Sequence, residues 1–196
     1  MAGTAPKDTT FTRMQDATRE DYQVIGAHAL GYMAGLPERV MTHLEILRGD
    51  TAGYAVDRLT HSLQSATRAH RDGRDTEYVV CALIHDIGDT LASYNHADLA
   101  ATILQPFVSE KNHWIVKHHG IFQGYYFFHH LGLDRDMRDR YREHPHWRDC
   151  AEFCAIYDQN RFDPAYDTMT LEDFEPMVRE VFARPRNSIY LNDDGS

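Results

Sequence analysis

The chain has 196 residues, 42% of them apolar and 26% charged, enough for one domain with its own hydrophobic core. A formal charge of -10 repels nucleic acid and anionic membrane, which excludes both as partners and means that an anionic small molecule would need a local positive cluster. Cys81, Cys150 and Cys154 leave an odd thiol under any pairing, no apolar run approaches the roughly 20 residues of a membrane span, and the polar stretch 1–12 lacks a signal-peptide core. The expectation is a reduced, cytoplasmic protein.

In chain order, Thr18-Arg19-Glu20-Asp21 has the pattern of a capping box and predicts a helix to about Ala34. Pro37 suits the first turn of a second helix ending near Gly49. From Ala55 to Arg71 the apolar residues Val56, Leu59, Leu63 and Ala66 recur at helical spacing, with His61 beside their stripe. Asp75 caps an apolar run from Tyr78 to Ile84 that closes on His85-Asp86-Ile87-Gly88, where Gly88 reads as a stop. His96 opens a periodic segment to Leu104, Ser109 caps a helix to His119, and Asp134 caps one through Arg142. Pro145 opens the helix that carries Asp158, and Thr170-Leu171-Glu172-Asp173 caps a last helix ending before Pro185. No convincing strand pair occurs, so the expected fold is an all-α bundle with its functional side chains on inward faces of different helices.

His85 and Asp86 are the most informative pair. Helical neighbours point about 100° apart, so both reach one ion only at a helix end, or if the carboxylate bridges to a second ion. A buried Asp is costly unless paired or metal-bound, although a capping Asp at an ordinary helix end has the same local sequence. The chain has 13 histidines, and His61, His96 and His119 each adjoin an apolar stripe, as does Asp158. The order His61, His85-Asp86, His96, His119, Asp158 supplies imidazoles and carboxylates for two six-coordinate ions with open positions. Such donors suit iron, manganese, zinc or nickel, and the absence of paired Cys ligands argues against a structural zinc site.

Other residues fit either of two roles. Gln64, one turn after His61, could orient a ligand or a water, and His118 could support the ligands from behind or lie at the surface. Arg161, three residues past Asp158, fits an anionic group one turn from the metals or a salt bridge to Asp163. The aromatic cluster from Phe122 to Phe128 is mostly core, with Tyr125 and Tyr126 the candidates for a cage around a methylated cation. The mixed-sign run from Asp134 to Arg142 reads as a solvated helix face. Lys117, Gln123, Tyr125, Tyr126 and Arg161 are the candidate substrate contacts.

The spacing His61 … His85-Asp86 … Asp158 resembles the HD-domain superfamily of metal-dependent phosphohydrolases, and His96 and His119 resemble its binuclear branch. Leu59-Thr60-His61-Ser62-Leu63-Gln64, Ala82-Leu83-Ile84-His85-Asp86-Ile87-Gly88 and Ile115-Val116-Lys117-His118-His119-Gly120 are similar to the HD-type mixed-valent diiron oxygenases. The runs His119 to Tyr126 and Tyr157 to Asn160 most resemble the members that cleave (R)-1-hydroxy-2-(trimethylamino)ethylphosphonate. The resemblance implies an HD-domain bundle over 54–185; the helical signals before it read as an extension at 1–53, and 186–196 reads as a flexible tail. It implies an Fe(II)/Fe(III) pair in the core, one iron on His61, His85, Asp86 and Asp158, the other on His96 and His119, with Asp86 bridging. It further implies dioxygen as co-substrate, an organophosphonate as substrate, and glycine betaine and phosphate as products. A phosphohydrolase acting on a small phosphate ester is the alternative. Two departures stand out. Where some relatives place a lid Tyr and Glu ten and seven residues before the first ligand, this chain has Thr51 and Tyr54. Where relatives acting on aminated substrates are basic, it has Gln123 and Ala155. Nothing in the sequence sets the oligomeric state.

Overall fold

The computed structural model describes residues 8–188. Among them are eight α-helices and no strand, in the order α1 (Arg19–Ala34), α2 (Leu36–Glu45), α3 (Arg58–Arg71), α4 (Thr76–Ile84), α5 (His96–Leu104), α6 (Glu110–Phe127), α7 (Trp147–Phe153) and α8 (Leu171–Phe182). No helix among the described residues is long and apolar enough to cross a membrane.

The helix starts follow the sequence signals. Asp21 N donates to Thr18 Oγ1 at 3.2 Å while Thr18 N donates to Asp21 Oδ2 at 2.9 Å, and Thr170 and Asp173 repeat the exchange ahead of α8. Asp75 and Ser109 accept from Tyr78 N and Asn112 N at the heads of α4 and α6. The expected helix from Asp134 to Arg142 does not form. Asp134 accepts from Asp136 N, an Asx turn that competes with the first helical turn, and only a short 3-10 segment, Met137–Tyr141, follows.

α4 is the centre of the bundle, with Tyr78 to Ile84 all buried and α3, α6 and α8 packed around it. α5 and α7 both pack against α6. α1 has no buried residue. The expected tail lies from 189 onward outside the described residues, as do 1–7 of the N-terminal extension; before that point Arg186 and Asn187 donate to the Pro106 carbonyl at 2.6 and 3.2 Å.

Asp57 anchors α3 and hence His61. Its carboxylate accepts from Thr60 N at 2.7 Å and Gly49 N at 2.9 Å. Burial alone would raise its pKa, but these backbone donors outweigh it and hold the carboxyl below its ordinary range. Asp57→Ala is expected to destabilise the fold by about 1 kcal/mol at neutral pH. Because the folded-state pKa is depressed, that contribution is present above the unfolded carboxylate range of about 4 and lost as pH falls through the folded value. Denaturant midpoints of parent and variant should therefore converge in acid.

Candidate metal centre

Four imidazoles and two carboxylates from five parts of the chain meet in the core. His61 comes from α3, His85 from the C-terminus of α4, His96 from the first position of α5 and His119 from the middle of α6. His61, His85, Asp86, His119 and Asp158 are all buried. The adjacent His85 and Asp86 converge because the helix ends between them. His85 keeps helical dihedrals, while Asp86 (φ -103°, ψ 9°) starts a 3-10 turn and is free of the 100° helical offset. α4 thus stops at Ile84, before Gly88. The role of Gly88 is different: a Cβ there would collide with the carbonyl oxygen of His96, so its absence lets the start of α5 pack against this turn.

Asp158 needs a second irregularity. α7 runs into one π-helical turn, Cys154–Asp158, in which Gln159 N donates to the Cys154 carbonyl at 3.0 Å. The wider turn shifts the angular position of Asp158 relative to a continuous α-helix, and such turns recur at functional sites.

The orientation of the donors is specific. Nδ1 faces a backbone carbonyl in three rings: His85 to Ala82 (2.8 Å), His119 to Val116 (2.7 Å) and His61 to Arg161 (3.3 Å). A carbonyl oxygen only accepts, so each ring donates its Nδ1–H to it, which leaves the Nε2 lone pair for an ion. The Nε2 atoms pair across the site, His61 with His85 and His96 with His119, each pair 3.2 Å apart. Asp86 lies between the pairs. Its Oδ2 is 3.4 Å from the nitrogens of both His61 and His85, and its Oδ1 is 3.2 Å from His119 and 3.4 Å from His96. Asp158 Oδ1 is 3.3 Å from His61 Nε2 and also accepts from Gln123 Nε2 at 3.0 Å, while its Oδ2 is buried with no hydrogen-bond partner.

Donor atoms within 4.8 Å of one another form three overlapping groups: His61, His85 and Asp86; His85, His119 and Asp158; and Asp86, His96 and His119. These buried groups could hold a metal ion, and the orphan oxygen of Asp158 is what a ligand carboxylate without its cation looks like. Electrostatics agree. Burial would lower the His85 pKa, yet Asp86 and Asp158 raise it to about 9. Burial would raise that of Asp86, yet His85, His119 and His61 hold it well below the usual range. The potential that attracts protons to His85 would equally attract a metal cation.

Five of the six clustered side chains, all but the fully buried His85, line a cavity of about 780 Å³. Lys117, His118, Gln123 and Tyr126 line it. Tyr126 lies seven residues after His119, within about 20° of it around α6, whereas Tyr125 points some 120° away and does not line the cavity. The Tyr125 ring is instead under the guanidinium of Arg138 at 3.6 Å and that of Arg135 at 4.2 Å, which leaves it no role in a cage. Arg161 is also outside the lining and 1% exposed. The chain leaves the helix just past Asp158, so the one-turn relation that would aim Arg161 at the site does not hold; its contribution is the carbonyl behind His61. Gln64 orients no ligand directly. Its amide nitrogen donates to the Asp163 carbonyl at 2.6 Å, fastening the segment after Asp158 to α3. His118 stacks on Trp114 at 4.2 Å, and its Nδ1 is 2.9 Å from the Trp114 carbonyl oxygen, so it supports none of the six clustered side chains directly.

Three residues escaped the sequence reading. Arg58 is, with Lys117, one of two Lys or Arg side chains in the lining, and it pairs with Asp89. Burial and the Asp86 charge raise Asp89 to about 6 against the opposing pull of Arg58. Phe162 stacks on His61 (4.8 Å) and Tyr54 on Phe162 (4.4 Å), so the loop before α3 reaches the centre through two rings. The one available signal was the spacing of Asp89, three residues after Asp86 and seven before His96. No protein-family model matches this chain, and no curated protein matches it.

Proposed function

We propose that the chain is a non-haem diiron oxygenase that cleaves the C–P bond of a 1-hydroxyphosphonate, a trimethylamino-substituted one being the favoured substrate, to a carboxylate and phosphate. One observation carries the two-ion reading: the two oxygens of Asp86 face two separate imidazole pairs, His61/His85 and His96/His119. His61, His85, Asp86 and Asp158 would hold one ion, and Asp86, His96 and His119 the other. Four protein donors for one ion and three for the other would leave each short of six-coordination, with room for substrate and dioxygen. When bound, an Fe(II)/Fe(III) pair supplies Lewis acidity toward a chelating hydroxyl and phosphonate and the electrons that activate dioxygen.

The residues of the chain handle the rest of the substrate. Lys117 and Arg58 are the two Lys or Arg side chains of a lining that also holds Asp57, Asp86, Asp98 and Asp158, and they are the groups that would meet a phosphonate's charge alongside the metal ions. Gln123 lines the cavity and donates through Nε2 to Asp158 Oδ1, while its Oε1 is buried with no partner, so its part in the site is to orient the Asp158 carboxylate. Tyr126, Phe127 and Phe128 form an aromatic wall able to face a quaternary ammonium, which has charge but no N–H to donate.

The test is oxygen consumption and phosphate release with a panel of hydroxylated phosphonates, using protein reconstituted with Fe(II) and ascorbate. The expected result is one phosphate per dioxygen, with ordinary phosphate esters left largely intact. Anaerobic hydrolysis of phosphomonoesters at a comparable rate would overturn the oxygenase in favour of a phosphohydrolase on the same ligands. Tyr126→Leu tests the cation: it should lower the kcat/KM ratio of trimethylamino over unmethylated substrate by about 2- to 30-fold, the loss of one cation–π face at roughly 0.5 to 2 kcal/mol.

A further inference from the structure

Three of the four imidazoles are oriented by backbone, and the fourth is not. At His96 the acceptor facing Nδ1 is the Asp89 carboxylate, with Oδ1 3.4 Å away. His96 is also the least enclosed of the four, its side chain 28% exposed against 6% for His61, 2% for His119 and none for His85. Packing does least to hold this ring, so a polar partner has most to do. Asp89 is itself held: its side chain is 10% exposed, its Oδ2 pairs with Arg58, and its backbone carbonyl accepts from Ser93 Oγ at 2.7 Å. Arg58 in turn follows the capping Asp57 at the head of the helix that carries His61.

We propose that Asp89 is the positioning residue of the second metal site: clamped by Arg58, it fixes the Nδ1–H tautomer of His96 and strengthens Nε2 as a donor. This rests on the two-ion reading above. A carboxylate behind a ligand imidazole raises its basicity more than a peptide carbonyl does, and losing such a partner weakens metal binding about 10- to 100-fold. Asp89 also adds negative charge on the His96 side, where the protein supplies three donors rather than four. The guanidinium of Arg58 offsets part of that charge and stops Asp89 from turning to the ion itself.

The experiment titrates metal-free protein with Mn(II) alone and follows free Mn(II) by its solution EPR signal, so no turnover is involved. The parent should bind two equivalents. Asp89→Asn, nearly the same size but neutral, should weaken one equivalent by about 10- to 100-fold and leave the other unchanged, and Asp89→Glu should restore part of the loss. Unchanged binding in Asp89→Asn, or equal weakening of both equivalents, would overturn the inference while leaving the two-ion reading intact. A parent that binds fewer than two equivalents would overturn both. Far-UV circular dichroism guards against a folding defect, and Arg58→Met, which releases Asp89 without removing it, should weaken the same equivalent by a smaller factor.

Discussion

Asp86→Ala protein is expected to retain neither ion when reconstituted with Fe(II) alongside the parent, whereas His96→Ala should retain about one per chain. Among the described residues Asp86 alone has oxygens facing both imidazole pairs, so its removal takes a donor and a negative charge from each site. Within the cluster the Nε2 of His96 faces Asp86 Oδ1 and His119, and its loss leaves His61, His85, Asp86 and Asp158 in place. Metal analysis after gel filtration checks the pair of variants, and low-temperature EPR of the half-oxidised parent should show the signal of a coupled Fe(II)/Fe(III) pair. Equal loss of metal in both variants would mean that the donors act as a single site.

The largest effect on stability is expected at Phe153. This ring is 1% exposed and meets His85 edge-on at 5.6 Å, with Tyr78, Tyr157 and His119 between 6.1 and 6.4 Å. Phe153→Ala should cost about 3 to 5 kcal/mol, the removed apolar area plus a cavity that the helices on either side cannot fill. The denaturant midpoint should drop with the slope unchanged. Because the cavity would open behind two ligand rings, metal affinity should fall as well, although Phe153 donates nothing to an ion. Phe153→Leu, which refills much of the volume, should recover most of both losses.

The oxygenase proposal and the positioning role of Asp89 are connected through Arg58. One guanidinium both lines the cavity and holds Asp89, so an anionic substrate drawn toward Arg58 approaches the group that supports His96. Substitutions at Arg58 should therefore alter substrate KM as well as the binding of one ion.

The all-helical architecture was legible in the chain because local signals dominate it. Capping residues at Thr18, Asp75, Ser109 and Thr170 and the apolar run from Tyr78 to Ile84 act within one or two turns, and the helices start or bury where those signals say. The six clustered side chains were also legible, since an imidazole or carboxylate beside an apolar stripe is conspicuous in the sequence, and the fold brings all six together in groups that could hold a metal ion. The angular placement of neighbours failed wherever the helix was not a regular α-helix. The π-helical turn before Asp158 and the chain's exit after it removed Arg161 from the cavity, and an Asx turn at Asp134 prevented the helix expected there. Tyr125 was a different failure, because α6 stays regular to Phe127 and the 3.6-residue period alone separates it from Tyr126. The partners of the donors belonged to tertiary structure. The carbonyls of Ala82 and Val116 arise from helix geometry, but the carbonyl of Arg161 reaches His61 across 100 residues, and Arg58 meets Asp89 across 31. No local propensity encodes such pairings, because they depend on how α3 and the turn after α4 are docked. Sequence thus determined which atoms were available to bind a metal, and the packing of the helices decided how those atoms are held and what shares the cavity with them.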